Sequence, residues 1–312
     1  MAHALLLPGA NSVLAAHPKL TFQHGSYSYT VETRNGQSTY SISDGARTIS
    51  APIQWAFGTG AQTWVFERDG RFYESYVSFY PLANGLDITI GDQGMEPTTL
   101  EQAFGRELTN TETTACFGCH ATGAVSDYRV HFDSLKPGVT CEHCHTGAAT
   151  HLEAISHGKL ESVPPKLKAL SAEQISNFCG QCHRSFEEVL RNHWLGQMNV
   201  RFQPYRLANS KCFNGADSRI SCVACHDPHK EVVTDGASYD PKCLACHGTT
   251  SASSTSGHLQ PVSNLHRVGK PCPVATSGCV NCHMPKVKLP GGHQEFTDHY
   301  IRVVHPGDSY PD

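Results

Sequence analysis

The sequence predicts a small antiparallel β domain at its N-terminal end, followed by a mostly α-helical and irregular domain. Residues 20–95 contain 13 of the 27 aromatic residues and no cysteine, and their apolar residues alternate with polar ones as in half-buried strands. Residues 116–305 contain all 14 cysteines. They show few strand patterns and consist of short pieces that Gly and Pro interrupt.

We assign residues 20–97 to the β domain and predict two hairpins within it. The first turns at Asn35-Gly36 and the second at Asp69-Gly70, because both dipeptides favour tight two-residue turns. Aromatic cross-strand pairs would stabilise this sheet. Residues 1–19 form a separate N-terminal segment.

Helices are predicted after the β domain. Thr98 to Leu108 has helical spacing, with Thr98 as the N-cap and Glu101 three residues later. Ser171 to Leu195 shows similar spacing. The run from Thr249 to Gly257 is a polar connector.

The net charge excludes some classes of function. The 312 residues carry 24 basic and 28 acidic side chains, for a formal charge of -4. Nucleic-acid binding requires a basic surplus, so we expect no nucleic-acid partner. No apolar run reaches the roughly 18 residues that a membrane span needs, so we expect no transmembrane segment.

The cysteines follow one pattern. Twelve of the 14 fall into six C-x-x-C-H motifs, for which this composition predicts about 0.04 copies by chance. The motif cysteines are Cys116, Cys119, Cys141, Cys144, Cys179, Cys182, Cys222, Cys225, Cys243, Cys246, Cys279 and Cys282. The histidines that directly follow are His120, His145, His183, His226, His247 and His283.

C-x-x-C-H is the attachment signature of haem c. The cysteines form thioethers to the porphyrin, and the histidine is the proximal ligand of the iron. Paired C-x-x-C motifs also bind zinc, but zinc does not require a histidine directly after the second cysteine in all six copies. The sequence therefore predicts six covalently attached haem c groups, and residues 98–312 as a hexahaem cytochrome domain with haems as its core.

Attachment of haem c takes place outside the cytoplasm. We therefore expect a periplasmic, extracellular or cell-surface protein of a bacterium or archaeon. Residues 1–19 lack the basic start of a secretory signal, and Pro8-Gly9 interrupts their apolar stretch. No signal peptide is clearly present, and we interpret this segment as the remnant of a truncated, mis-started or atypical signal.

Three stretches resemble a known superfamily. Cys141 to His151 (CEHCHTGAATH) is similar to a stretch of the multihaem cytochromes that include hydroxylamine oxidoreductases, pentahaem nitrite reductases and tetrahaem electron-transfer cytochromes. Cys222 to His229 and Cys279 to Lys286 resemble two further motifs of that superfamily. The resemblance covers residues 116–305 and implies that the trailing His151 and His229 ligate neighbouring haems. Thr-Gly-Ala stands where the family has Gly-Pro-Gly.

Fourteen histidines remain for the six distal positions. His293 and His299 flank the carboxylate of Asp298 near the last motif, and metal-bound imidazoles often donate to a carboxylate. His24 would tie the β domain to a haem. The sixth ligand is left open among His131, His157 and His266. The distal candidates are thus His151, His229, His299, His293, His24 and His131.

Cys212 and Cys272 are left outside the motifs. In an oxidising compartment they would form a disulfide worth about 2–4 kcal/mol. Two free thiols are the alternative.

Closely spaced bis-His haems favour electron transfer by hopping, with no catalytic residue and with redox proteins as partners. The same core could serve a subunit of an extracellular cytochrome filament, in which copies of the chain would be partners. An oxidoreductase acting on a small nitrogen compound or peroxide would need one open-coordination haem. The sequence therefore favours an electron-transfer protein over an enzyme.

Overall fold

The computed structural model describes residues 1–159, 167–217, 219–248 and 271–312. It divides into two compact units. The first comprises Met1–Lys166 with Pro290–Gln294, and the second comprises Leu167–Leu289 with Glu295–Asp312. The first unit thus contains the aromatic strands together with the first two C-x-x-C-H motifs, and the boundary predicted between residues 97 and 98 lies inside it.

The first unit is built mainly of antiparallel strands and short helices. Its strands are β1 (Leu5–Leu6), β2 (Lys19–His24), β3 (Tyr27–Arg34), β4 (Gln37–Ser43), β5 (Thr48–Pro52), β6 (Trp55–Phe57), β7 (Thr63–Arg68), β8 (Arg71–Ser75), β9 (Val77–Tyr80), β10 (Gly85–Ile88), β11 (Gly105–Glu107), β12 (Ala121–Thr122), β13 (Val125–Ser126), β14 (Arg129–Val130) and β15 (Lys136–Pro137). Its helices are α1 (Ser12–Ala16), α2 (Leu100–Phe104), α3 (Asn110–His120), α4 (Cys141–Cys144) and α5 (Ala148–Ser156).

Two larger sheets organise these strands. One has the order β2-β3-β4-β5 and the other the order β1-β6-β7-β8-β11. The predicted hairpins lie one in each sheet, with Arg34 opposite Gln37 and Arg68 opposite Arg71. All four turn residues have positive φ. The values are +52° for Asn35 and +74° for Gly36 in the first turn, and +53° for Asp69 and +74° for Gly70 in the second. These values identify the type I′ turn that the sequence predicts.

Aromatic side chains form the core of this unit. Tyr40, on the inner face of β4, stacks on Phe66 at 5.0 Å between ring centroids and contacts Trp64 at 6.0 Å. All three side chains are fully buried. Fully burying each one contributes roughly 2–3 kcal/mol of hydrophobic free energy.

The helix predicted from Thr98 to Leu108 is shorter than expected. It begins after Thr99, whose hydroxyl accepts from the backbone of Gln102, and ends at Phe104. Gly105 leaves the helix to pair with Ser75 in β8. A Cβ at Gly105 would lie 2.1 Å from the carbonyl oxygen of Glu74, so this close approach ends the helix.

The second unit is mostly helical. Its elements are α6 (Ala172–His183), α7 (Phe186–Arg191), α8 (Gln203–Ala208), α9 (Cys222–Cys225), α10 (Asp240–His247), α11 (Cys279–His283), β16 (Lys286–Lys288) and β17 (Glu295–Thr297), with 3-10 turns at Leu167–Ala169, Gln197–Arg201 and Gly236–Tyr239. Val189, Phe202 and Tyr205 form a small buried cluster.

The helical stretch predicted from Ser171 to Leu195 is two helices. Ser171 caps α6 through a capping box with Gln174. The chain then breaks at Arg184, whose φ is +65°, before α7 starts. A left-handed residue cannot continue an α-helix, so the break follows directly after the third motif. The connector predicted from Thr249 to Gly257 lies outside the described residues.

Candidate functional site

All six C-x-x-C-H motifs form helical turns. They lie in α3, α4, α6, α9, α10 and α11, and the histidine is the last helical residue or the C-cap. Residues i, i+3 and i+4 share one face of a helix. Both cysteines and the histidine of each motif are therefore presented on one side. These three side chains fit a haem that is attached through two thioethers and ligated by the imidazole.

The β strands hold the first motif. Phe117, between its two cysteines, is fully buried and contacts Trp55 and Phe57 edge-on at 5.3 and 5.2 Å. His120 also contacts Phe57 at 5.2 Å. The aromatic sheet domain thus serves as the support of the first candidate haem site.

The second motif lies beside the first. A cleft of about 670 Å³ is lined by Gly118 of the first motif and by Glu142 and His143 of the second. Pairing of β12 with β15 brings the intervening chain back toward the second motif. The first two motifs, which begin only 25 residues apart in the sequence, are thus neighbours in the fold.

The four motifs of the second unit form a series. The thiols of Cys179 and Cys222 share a hydrogen bond, which raises the pKa of Cys222 and joins the third motif to the fourth. The hydroxyl of Tyr239, the residue before α10, lies 3.4 Å from Nδ1 of His226 and joins the fourth to the fifth.

The fifth and sixth motifs are joined by a carboxylate. Asp240, the first residue of α10, accepts from the backbone N–H of Gly278 at 2.7 Å and of Cys279 at 2.8 Å. These hydrogen bonds lower the pKa of Asp240. The motif order within this unit is therefore 3-4-5-6.

Two of the predicted proximal histidines are oriented as metal binding would require. Nδ1 of His120 lies 2.9 Å from the carbonyl oxygen of Ala4, and Nδ1 of His283 lies 2.9 Å from that of Arg302. A ring that donates from Nδ1 keeps its lone pair on Nε2, the nitrogen that an iron would bind. Burial lowers the pKa of His120, which favours the neutral, ligating form.

Three distal candidates lie on different parts of the first unit. His24 ends β2, with Nε2 3.3 Å from a carboxylate oxygen of Glu96. Nε2 of His131 lies 3.3 Å from the carbonyl oxygen of Ser126. His151 lies in the first turns of α5.

His293 also belongs to the first unit. Its Nε2 pairs with the carboxylate of Asp87, and its ring contacts Tyr80 at 5.2 Å between centroids. To bind iron through Nε2, His293 would have to leave Asp87. Its assignment as a distal ligand, like those of His24, His131 and His151, stays a prediction. His266 lies outside the described residues.

Two distal candidates lie in the second unit. Nδ1 of the exposed His229 lies 3.2 Å from Asp227, which is the orienting carboxylate expected beside a metal ligand. Nδ1 of His299 donates to the carbonyl oxygen of Thr297 at 2.9 Å. Burial lowers the pKa of His299 to about 4, so its ring is neutral.

Asp298 orients no histidine ring among the residues that the structure describes, in contrast to the sequence expectation. It is fully buried and binds Arg206 at 2.8 Å and Arg302 at 2.6 Å. Burial opposes its ionisation, but Arg206, the backbone N–H of Tyr300 and Arg302 together outweigh that effect and lower the pKa of Asp298. Its role is to fix the chain segment that carries His299.

Cys212 and Cys272 are not joined to each other in the structure, and their disulfide stays a prediction. Burial raises the pKa of the Cys212 thiol, and the neighbouring thiols of Cys246 and Cys225 raise it further. Cys212 is therefore near the fourth and fifth motifs.

Sequence reasoning missed three functional side chains. Phe117 supports the first motif, Tyr239 contacts the fourth proximal histidine, and Arg206 anchors Asp298. Phe117 had one usable signal, since it is a large apolar residue between two motif cysteines. No local pattern marked Arg206, because its partner is 92 residues away in the chain.

Residues 92–146 match the model of one protein family, described as cytochrome c554 and c-prime. The matched segment runs from before α2 through the first two motifs. The match supports a multihaem c-type cytochrome with covalently bound haem and a general electron-transfer role. No curated protein and no solved structure was found to be similar to the chain.

In the described ranges, no helix combines the length and the apolar character needed to cross a lipid bilayer.

Proposed function

We propose that this chain is a hexahaem c-type cytochrome that carries electrons by hopping between closely spaced, mostly bis-His haems. The observation that supports it best is the common helical turn of all six C-x-x-C-H motifs, which presents the same three donor side chains six times. When bound, haem supplies a one-electron couple, and axial ligation and burial set its potential.

The chain's own residues position the haems. In the second unit, the side chains of Cys179 and Cys222 are neighbours, Tyr239 contacts His226, and Asp240 caps the backbone of the sixth motif. Haems attached to such motifs must lie close together, and closely spaced redox centres exchange electrons without substrate chemistry at any iron.

Coordination by two imidazoles leaves no position for a substrate. Twenty histidines are enough for six proximal and six distal ligands. The formal charge of -4 becomes more negative once haem propionates are added, which opposes reduction and favours low potentials. We further propose a periplasmic or cell-surface location and redox proteins as partners.

Haem counting tests the proposal. Intact-protein mass and the pyridine haemochrome assay on protein matured with a cytochrome c assembly system should both give six haems per chain. Fewer than six would contradict the hexahaem assignment, and a haem lost under denaturing conditions would contradict covalent attachment.

Ligand binding tests the electron-transfer assignment. The reduced holoprotein should bind no CO, and its oxidised form should give only low-spin ferric EPR signals. Stoichiometric CO binding at one haem would instead favour an enzyme with one open coordination position. Size-exclusion mass and electron micrographs distinguish a monomer from a filament subunit.

A further inference from the structure

The rings of His226 and His299 are neighbours in the second unit. Their centroids are 6.1 Å apart and their planes are inclined by 41°. Two imidazoles on opposite sides of one metal ion have centroids roughly 6 Å apart, since each metal–nitrogen bond is about 2 Å and each ring centre lies about 1 Å beyond its nitrogen. The observed separation matches this value.

Both rings have Nδ1 engaged with another group. Nδ1 of His299 donates to the carbonyl oxygen of Thr297 at 2.9 Å. Nδ1 of His226 lies 3.4 Å from the hydroxyl of Tyr239, which in turn donates to the carbonyl oxygen of Val233 at 2.9 Å. In both histidines Nε2 is therefore the nitrogen suited to bind a metal.

The position of His299 is fixed by its neighbours. Asp298 is held by the fully buried guanidinium of Arg206, and the carbonyl oxygen of His299 accepts from the hydroxyl of Ser210 at 3.3 Å. Arg302 exchanges hydrogen bonds with His283 of the sixth motif, at 3.2 and 2.9 Å. His299 thus lies on a segment bound to the sixth motif, while its ring lies beside His226 of the fourth.

We propose that His299 is the second axial ligand of the haem attached to Cys222 and Cys225, opposite His226. This inference rests on the proposed function and assigns the ligand to one haem. In the sequence His299 is near the last motif, but the inference assigns it to the fourth. One chain segment would then connect two haem sites.

His299→Ala in the full-length holoprotein tests the proposal. One of the six haems should become high-spin in the ferric EPR spectrum and bind CO when reduced. His305→Ala, which removes an exposed histidine six residues later, is the matched control and should leave all haems low-spin. Six low-spin haems in His299→Ala would overturn the proposal.

A second variant, which lacks the fourth haem, identifies the haem that His299 ligates. Cys222→Ala/Cys225→Ala removes the fourth haem, and adding His299→Ala to that variant should create no high-spin haem. A high-spin signal there would overturn the assignment and favour the haem of His183, the other proximal histidine that His299 interacts with. If His299→Ala does not fold, His299→Met should instead raise the potential of one haem, and six unchanged potentials would count against the proposal. Failure of the proposed function would show in the wild-type haem count.

Discussion

Arg206 and Asp298 are both fully buried and are joined by two hydrogen bonds of 2.8 and 2.9 Å. Removing one partner of a buried ion pair leaves the other charge uncompensated. Asp298→Asn should therefore lower the free energy of unfolding by about 3–5 kcal/mol. Guanidinium unfolding of the holoprotein, followed by Soret absorbance, measures this loss.

Asp217→Asn is the control for that substitution. Asp217 pairs with Arg219 at the surface, where their side chains are 30% and 52% exposed. Exposed ion pairs contribute at most about 1 kcal/mol. Equal losses in the two variants would contradict the special role of the buried pair.

Asp92 is a second buried carboxyl, 4% exposed. Its Oδ2 has no hydrogen-bond partner among the residues that the structure describes. Burial, together with the charge of Glu74, raises the pKa of Asp92 to about 6. The folded protein thus binds this proton more tightly than the unfolded chain does, and stability falls as the pH rises from about 4 to about 6.

Asp92→Asn should remove this loss. We expect the variant to be more stable than the wild type by about 3 kcal/mol at pH 7 and nearly equally stable near pH 4. Thermal unfolding at both pH values measures the difference. Asp69→Asn changes a carboxyl that is 89% exposed and is the control; an equal gain in stability from this variant at pH 7 would contradict burial as the cause.

Single residues differ in how far the sequence predicts them. The motif cysteines and their histidines are predictable because covalent attachment fixes their spacing along the chain. Distal ligands are not, because a histidine such as His299 reaches the fourth motif only through tertiary packing. The buried ion pair of Arg206 and Asp298 is equally unpredictable, because the two residues are 92 positions apart in the chain.

At the scale of elements, two glycines occupy motif helices with different surroundings. A Cβ at Gly180 in α6 would lie 2.8 Å from the Cα and Cβ of Ser185, at the start of α7. A Cβ at Gly118 in α3 would meet nothing closer than a methyl group of Val125 at 3.8 Å. Only the first position therefore needs glycine for packing.

Gly180→Ala should destabilise the holoprotein by about 1–3 kcal/mol, since overpacking moves α7 away from α6. Gly118→Ala should be neutral or stabilising by up to about 1 kcal/mol, because alanine favours the helix. Thermal unfolding of the two variants is the measurement. Stabilisation by Gly180→Ala would show that Ser185 does not restrict this position.

Elements with a strong local signal were predictable. The hairpins at Asn35-Gly36 and Asp69-Gly70 form as the turn residues predict. The helix predicted to run to Leu108 ends at Phe104, because Gly105 pairs with a strand that is 30 residues earlier in the chain. Local sequence propensity gives no information on pairing between residues that are distant in the chain.

At the scale of the whole molecule, the motif series 3-4-5-6 in the second unit would determine which of the proposed haems exchange electrons directly. The fourth and fifth motifs begin only 21 residues apart in the sequence, and Tyr239 joins them. The contacts between the third and fourth motifs and between the fifth and sixth were not predictable, because their gaps along the chain are longer.

The series predicts unequal effects for removing a middle and an end haem. Cys222→Ala/Cys225→Ala removes the fourth haem and separates the third from the fifth and sixth, whereas Cys279→Ala/Cys282→Ala removes the sixth and leaves the third to fifth contiguous. Both variants should lose one sixth of the haem absorbance. After flash photoreduction with less than one electron per molecule, the first variant should show an additional slow phase of electron redistribution, and the second should keep the wild-type phases. Matching kinetics in the two variants would contradict the order 3-4-5-6 as the route of electron transfer, since the fourth haem would then be no more necessary than the last.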